Sequence, residues 1–140
     1  MKKSIFLAAL VLISAGCFAQ KANVSKARSL ADAETPDYAG AREAIAEALQ
    51  NDETKDQPNT WYTAGFIGYK EFYNGNVKMQ LGQTVDKKAW GDAVYESLKY
   101  WTKAYELAKI PTVDKKGKEK FDTRTPKSIV PKVVEYFNSM

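Results

Sequence analysis

The stretch that decides the fold lies in the middle of the chain, where residues 59–73 read NTWYTAGFIGYKEFY. Large apolar and small residues recur there every three or four positions, which is the period of an α-helix. They form two adjacent stripes, Trp61, Gly65, Gly68 and Phe72 on one and Tyr62, Phe66, Tyr69 and Tyr73 on the other. A helix that is apolar on more than one side has neighbours on more than one side. We therefore predict that this helix lies at the centre of an all-α domain.

Two further helices are predicted on its N-terminal side. Segments of helical period occupy residues 21–33 and 37–51. Thr35 and Pro36 between them fit an N-cap followed by proline at the first helical position, where the missing N–H costs no hydrogen bond. The polar residues 51–58 predict a loop that leads into the central helix.

Two helices are also predicted on its C-terminal side, and no stretch predicts a strand. Residues 74–76 read Asn-Gly-Asn, which indicates a turn, and residues 87–109 form the longest periodic run in the chain. Pro131 lies in the last helical segment and is tolerated without loss of a bond only in a first turn. We therefore expect the fifth helix to begin near residue 128.

The composition excludes most enzyme classes. His is absent from the 140 residues and Cys occurs once. This excludes an imidazole base, a Ser/His or Cys/His nucleophile pair, a histidine zinc site and a disulfide within the chain. Paired carboxylates remain, but Glu43, Glu47, Glu71, Asp92 and Glu96 fall on predicted polar faces. We expect no catalytic site, no metal and no cofactor, because motifs for them are missing as well.

The N-terminus predicts export. A basic start is followed by an apolar run at residues 5–13 and by small residues up to Ala19, the three parts of a secretory signal peptide. Residues 5–19 are 15 in number, short of the ~20 that span a bilayer. Residues 1–19 are the predicted signal peptide. Residues 20–140 are then the mature domain, in the periplasm or at the outer membrane, with no membrane span.

Cys17 leaves a second route of export open. A bacterial lipoprotein carries its lipid on a Cys that follows small residues, usually with Leu, Val or Ile three positions earlier. Here that earlier position is Ser14. Lipidation at Cys17 is therefore the less favoured alternative to cleavage after Ala19.

Basic residues concentrate near the C-terminus. Residues 109–132 carry eight basic side chains against three acidic ones, a net charge of +5, whereas residues 21–108 carry −2. A basic segment can bind nucleic acid or an anionic surface. We expect no nucleic-acid partner for an exported chain, and favour a solvated linker.

Two segments resemble the tetratricopeptide repeat. Trp61-x-x-Ala64-Gly65 followed by Gly68-Tyr69 is similar to the first helix of that motif, and Tyr38-x-x-Ala41-x-x-x-Ile45-x-x-Ala48-Leu49 is similar to its second helix. The resemblance implies stacked antiparallel helical hairpins, a TPR-like α-solenoid of about five helices. The residues expected to pack these repeats are Ala27, Ala31, Ala41, Ile45, Ala48, Trp61, Gly65, Trp101 and Ala104.

The second repeat departs from the pattern of the family. About 20 extra residues separate its two helices, inserted around residues 73–86. The fifth helix resembles the first helix of a further unit. We therefore expect that the 140 residues are the front of a longer array, or that this helix docks on a partner.

The resemblance also implies a binding face, because the first helices of such repeats line a concave surface that binds peptides. Carried onto this sequence, that face would show Arg28, Asp32, Asn59, Tyr62, Phe66 and Tyr69. Aromatic rings with one polar tip suit recognition. The alternative is that residues 77–85 fold back and cover these rings.

Two functions follow as hypotheses. The first is a non-catalytic interaction scaffold of the bacterial cell envelope, which binds a peptide or protein through this concave face. The alternative is a ligand- or glycan-binding envelope (lipo)protein, a subunit of a nutrient-uptake system. The sequence carries no prediction of oligomeric state.

Overall fold

The computed structural model describes residues 19–139, and this part of the chain is all-α, as predicted. Five helices pack against one another: α1 (residues 19–31), α2 (Tyr38–Gln50), α3 (Pro58–Gln80), α4 (Lys87–Ala108) and α5 (Arg124–Ser139). Apart from Ala19, the predicted signal peptide lies outside the described residues, and so does Cys17. No helix in residues 19–139 is long and apolar enough to cross a membrane.

Neighbouring helices α1, α2 and α3 run antiparallel. Asn23, early in α1, donates to the Glu47 carboxylate late in α2 across 3.2 Å. The Tyr38 hydroxyl at the start of α2 donates to the carbonyl of Lys70, in the second half of α3. Small buried residues let these axes approach closely, because an alanine side chain adds little between two backbones. The predicted packing residues of α1 and α2 are all buried there: Ala27, Ala31, Ala41, Ile45 and Ala48.

Helices α3 and α4 form a long hairpin whose contact line is lined by glycine. A Cβ added at Gly68 would lie 2.7 Å from the Ser97 hydroxyl and closer still to the Ala93 carbonyl. A Cβ at Gly75 would lie 2.6 Å from Cδ1 of Trp90. At Gly68 the two backbones therefore approach more closely than a side chain on α3 would permit, and at Gly75 the Trp90 side chain occupies the space that a side chain would need.

The same contact line buries the predicted packing residues of the second hairpin. Gly65, Trp101 and Ala104 are buried, and Trp61 is half-buried. The indole N–H of Trp101 donates to the carbonyl of Tyr62 across 3.1 Å, so this large side chain is packed without an unpaired donor.

The end predicted for the central helix is wrong. Residues 74–76 were expected to form a turn, but α3 continues through them to Gln80. The ring of Trp90 stacks on Phe72 with 4.9 Å between centroids, and its N–H donates to the Phe72 carbonyl. Packing against α4 thus outweighs the local turn preference of Asn-Gly-Asn, and most of the predicted insertion lengthens the hairpin.

The predicted N-cap of α2 is wrong by two residues. Asp37, and not Thr35, is the N-cap, and its carboxylate accepts from the backbone N–H of Gly40 across 2.8 Å. Asp and Thr are both good N-caps, so the sequence alone does not choose between them.

Two predictions for the C-terminal part are wrong: α5 begins at Arg124 and not near residue 128, and the chain contains two short strands. The Asp122 carboxylate accepts hydrogen bonds from the backbone N–H groups of Arg124 and Thr125, so α5 is capped there and begins at Arg124. Pro131 therefore lies inside α5, where it is exposed. The basic linker contains a minimal antiparallel ribbon, β1 (Thr112–Val113) and β2 (Glu119–Lys120). Its turn is closed by the Asp114 carboxylate, which accepts from two backbone N–H groups.

Candidate functional site

The aromatic row predicted to form a concave binding face is present on α3, but it is closed. Tyr62, Phe66 and Tyr69 follow one another along the helix with ring centroids 6.2 and 6.3 Å apart. Only 6% of Tyr62 and 5% of Phe66 are exposed. The expectation that these two rings are available to a peptide is therefore wrong for this structure.

Helix α1 covers one part of the row. The Arg28 guanidinium lies over the Phe66 ring, 4.6 Å from its centroid, and over Tyr62 at 5.6 Å. Asp32 pairs with Lys70 of α3 across 2.7 Å. The three polar residues of the predicted face, Arg28, Asp32 and Asn59, are exposed. Two of its three aromatic rings, those of Tyr62 and Phe66, are buried.

Helix α5 covers the other part of the row, and not residues 77–85 as the alternative expected. Tyr69 donates to the Glu135 carboxylate across 2.6 Å, and the Lys132 ammonium lies 5.5 Å from the centre of its ring. Tyr136 packs edge-on against Phe72 with 4.7 Å between centroids. The last helix of the described chain therefore occupies the surface on which a partner was expected.

The two phenols of this contact are held in their neutral form. Burial, and then the hydrogen bond to Glu135, raise the pKa of Tyr69 well above 10. Burial also raises the pKa of Tyr136, although its hydrogen bond to Ser97 opposes the shift. A phenol with a raised pKa is a poor general base at neutral pH. The cluster is thus a packing contact with satisfied polar tips.

Two carboxylates that the sequence placed on separate polar faces meet at Arg42. Its guanidinium donates to Glu71 across 2.6 Å and to Glu96 across 3.0 Å, which links α2 to α3 and α4. Burial alone would lower the pKa of Arg42, but the two carboxylates raise it overall. Each carboxylate therefore has a cationic partner, which favours a structural role over acid–base chemistry.

A pocket that the sequence did not indicate lies at one end of the bundle. It has a volume of about 520 Å³, within the range of small-molecule and side-chain sites. We call it the end pocket; it is lined by Asp56, Pro58, Leu107, Ile110, Thr112, Phe121 and Asp122. These residues come from the α2–α3 loop, the end of α4 and the ribbon, so no single motif could have predicted it.

The end pocket combines accessible apolar surface with fixed charge. Ile110 and Phe121 are more than half exposed, while Leu107 is buried beneath them. Burial alone would raise the pKa of Asp122, but hydrogen bonds from Thr125 and from backbone N–H groups lower it overall. The carboxylate of Asp122 is therefore committed to capping α5, and Asp56 supplies a second acidic group at the rim.

A second groove lies between α2 and α4, with a volume of about 470 Å³. Its walls include the largely exposed ring of Tyr95, the half-buried ring of Tyr100, and the Arg42–Glu96 pair. Within residues 19–139, no group of three or more His, Cys, Asp or Glu side chains is placed to hold a metal ion.

Comparisons of the chain with protein-family models, with curated proteins and with solved structures found no match.

Proposed function

We propose that the chain is a non-catalytic protein-interaction scaffold of the bacterial cell envelope, built from TPR-like hairpins, and that it binds a peptide or protein partner at the end pocket. The observation that carries this proposal is the accessible apolar surface of Ile110 and Phe121 above a pocket of about 520 Å³. Binding energy in protein interfaces concentrates where one large apolar or aromatic side chain fills such a pocket.

The arrangement of the helices supports the TPR-like part of the proposal. In such repeats each new first helix lies alongside the previous first helix. Here Asp122, which caps α5, and Pro58, the first residue of α3, both line the end pocket, and Glu135 further along α5 meets Tyr69 further along α3. Helix α5 thus runs parallel to α3, as the first helix of a next unit would. The envelope location rests on the predicted signal peptide.

The proposal moves the binding site away from the aromatic row. A partner at Tyr62 and Phe66 would first have to displace α1, and a partner at Tyr69 would have to displace α5, with the loss of the contacts described above. A partner at the end pocket displaces nothing in the described chain. The end pocket is therefore the favoured site for an apolar side chain of a partner.

The test is a capture experiment with a matched pair of variants. The chain is purified, immobilised and exposed to an envelope extract of its source cell, and retained proteins are identified by mass spectrometry. The variant Ile110→Ser/Phe121→Ser removes the apolar wall of the end pocket. The control Val113→Ser removes an equally exposed apolar side chain that does not line it.

We expect a protein that is retained by the parent chain and by Val113→Ser, and lost at least tenfold with the double variant. Purified partner titrated against each variant must repeat that order. A partner retained equally by all three chains would contradict the proposed site, and retention of no specific protein would contradict the scaffold function.

The groove between α2 and α4 favours the second candidate, a ligand- or glycan-binding protein. The exposed ring of Tyr95 beside paired charges offers a stacking surface and hydrogen-bonding groups of the kind that sugars bind. Retention of glycan from the same extract, lost in Tyr95→Ser, would replace the first candidate with this one.

A further inference from the structure

Helix α5 carries an apolar stripe on the side that faces away from the bundle. Val130, Val134 and Phe137 follow one another at helical spacing and are 53%, 51% and 69% exposed. Ile129 and Tyr136, on the opposite side, are buried. We call the first three residues the outer stripe.

The outer stripe differs from the exposed faces of α1 and α2, whereas α3 and α4, the helices that α5 contacts, also expose apolar side chains such as Tyr73 and Tyr95. The exposed positions of α2 are Ala, Glu and Gln, and those of α1 are Lys, Ala, Ser and Arg. A packed helix normally turns polar side chains outward. The row of three large apolar side chains on α5 is distinguished by the basic segment in which it lies.

Positive charge is concentrated in the part of the chain that contains the stripe. Residues 109–139 carry eight basic side chains and four acidic ones, a net charge of +4, whereas residues 19–108 carry −2. Four of the basic residues stand immediately before α5 or in its first turns: Lys118, Lys120, Arg124 and Lys127. All four are exposed, and one of them, Lys120, pairs with Asp114.

We propose that the outer stripe and the basic residues around it bind the surface of an anionic phospholipid bilayer. A helix with apolar side chains on one face and lysines beside them lies in the interface, with the apolar groups among the acyl chains and the cations at the headgroups. Each basic residue near an anionic leaflet strengthens binding about fivefold. The predicted export of the chain brings it to such membranes.

Charge and area argue against a second copy of the chain as the occupant. Two copies that met through this surface would bring +4 against +4, which is repulsive. Three side chains also cover far less than the ~800 Å² per partner of a standard interface. Binding to a lipid surface needs no such area, because the shallow insertion of a few apolar side chains and the attraction of basic residues to anionic headgroups both contribute to the affinity.

The test is co-sedimentation of the purified chain with vesicles of pure phosphatidylcholine, or of phosphatidylcholine with about one third phosphatidylglycerol. The stripe variant is Val130→Ser/Val134→Ser/Phe137→Ser, with Tyr95→Ser as control for an exposed ring elsewhere. The charge variant is Lys118→Gln/Arg124→Gln/Lys127→Gln, with Lys26→Gln/Lys87→Gln/Lys103→Gln as control. All chains share one N-terminus, so a difference reports on the changed residues, and circular dichroism verifies folding.

We expect binding to the anionic vesicles alone, weakened at least tenfold by the stripe variant and by the charge variant, and unchanged by both controls. Raising the salt concentration from about 0.1 M to ~1 M shortens the Debye length from ~10 to ~3 Å, so it must also weaken binding to the anionic vesicles. No binding, or equal binding by all variants, would overturn the proposal. Concentration-dependent dimers that the stripe variant abolishes would assign the stripe to self-association and overturn it too.

This inference is independent of the proposed function. It uses none of the residues that line the end pocket, so Ile110→Ser/Phe121→Ser must leave vesicle binding unchanged. Loss of partner capture with intact vesicle binding would therefore separate the two.

Discussion

Three glycines on α3 determine how closely α4 can approach. Gly65, Gly68 and Gly75 face Trp101, Ser97 and Trp90 in turn, and each leaves room that the facing side chain fills. Gly68 meets the backbone carbonyl of Ala93, which cannot rotate away as a side chain could. Glycine is thus required at these positions by the close contact between α3 and α4, and not by a need for a flexible backbone.

The first prediction compares two glycines that differ only in their surroundings. Gly68→Ala should lower the free energy of unfolding by about 1–3 kcal/mol, because the added methyl overpacks the contact with α4. Gly91→Ala should raise it by about 0.5–1 kcal/mol, because nothing lies within 4 Å of its Cβ and alanine is the better helix former. Urea unfolding of both variants measures this. An unchanged stability for Gly68→Ala would contradict the close α3–α4 contact.

The sequence predicts which residues are buried in the core, but it does not predict which side chains from different helices contact one another. Ala27, Ala41 and Trp101 were expected at packing positions because small and large residues recur at helical spacing, and they are buried. Arg42 was not expected to join Glu71 and Glu96, which are 29 and 54 residues away. Spacing along one helix carries no information about which distant charges meet.

At the scale of the elements, the end of α3 and the start of α5 depart from the local signals. Asn74 and Gly75 favour a turn, yet they continue α3 because Trp90 packs on them. Pro131 disfavours a helix interior, yet α5 runs through it from a cap at Asp122. Helix existence follows from periodicity, whereas helix ends depend on contacts that the periodicity does not contain.

The docking of α5 makes stability sensitive to high pH. Burial raises the pKa of Tyr136 above its usual 10, so the folded state holds a proton that the unfolded chain releases. This contribution is complete below pH 10 and is lost as the pH rises through the raised pKa. Tyr69, whose pKa is raised by burial and by Glu135, acts in the same direction.

The second prediction follows from this linkage. Tyr136→Phe keeps the ring but removes the ionising group, so its free energy of unfolding should fall less steeply above pH 10 than that of the parent chain. At neutral pH it should be about 1 kcal/mol less stable, because the hydrogen bond to Ser97 is lost. Urea unfolding between pH 7 and pH 11 measures both effects, with Tyr95→Phe as an exposed control. Equal slopes for Tyr136→Phe and the parent chain would contradict the buried position of Tyr136.

At the scale of the whole molecule, α5 changes which surface is available to a partner. The aromatic row was predicted on α3 and is found there, but the helix that closes it comes from 66 residues further along the chain. The end pocket joins the α2–α3 loop, the end of α4 and the ribbon, which the sequence indicated as a loop, a helix and a linker without indicating that they meet. Surfaces assembled in this way emerge only when the elements are packed.

The closure of the aromatic row by α5 is tested most directly by proton NOE spectroscopy of the purified chain. The ring centroids of Tyr136 and Phe72 lie 4.7 Å apart, and those of Tyr136 and Trp101 lie 6.0 Å apart. Cross-peaks are therefore expected from the Tyr136 ring to both neighbours, strongest to Phe72, together with a ring-current shift of the Tyr136 protons. A Tyr136 ring at random-coil shifts with no cross-peak to Phe72 would mean that α5 stands away from α3 and that the Tyr69 end of the aromatic row is open.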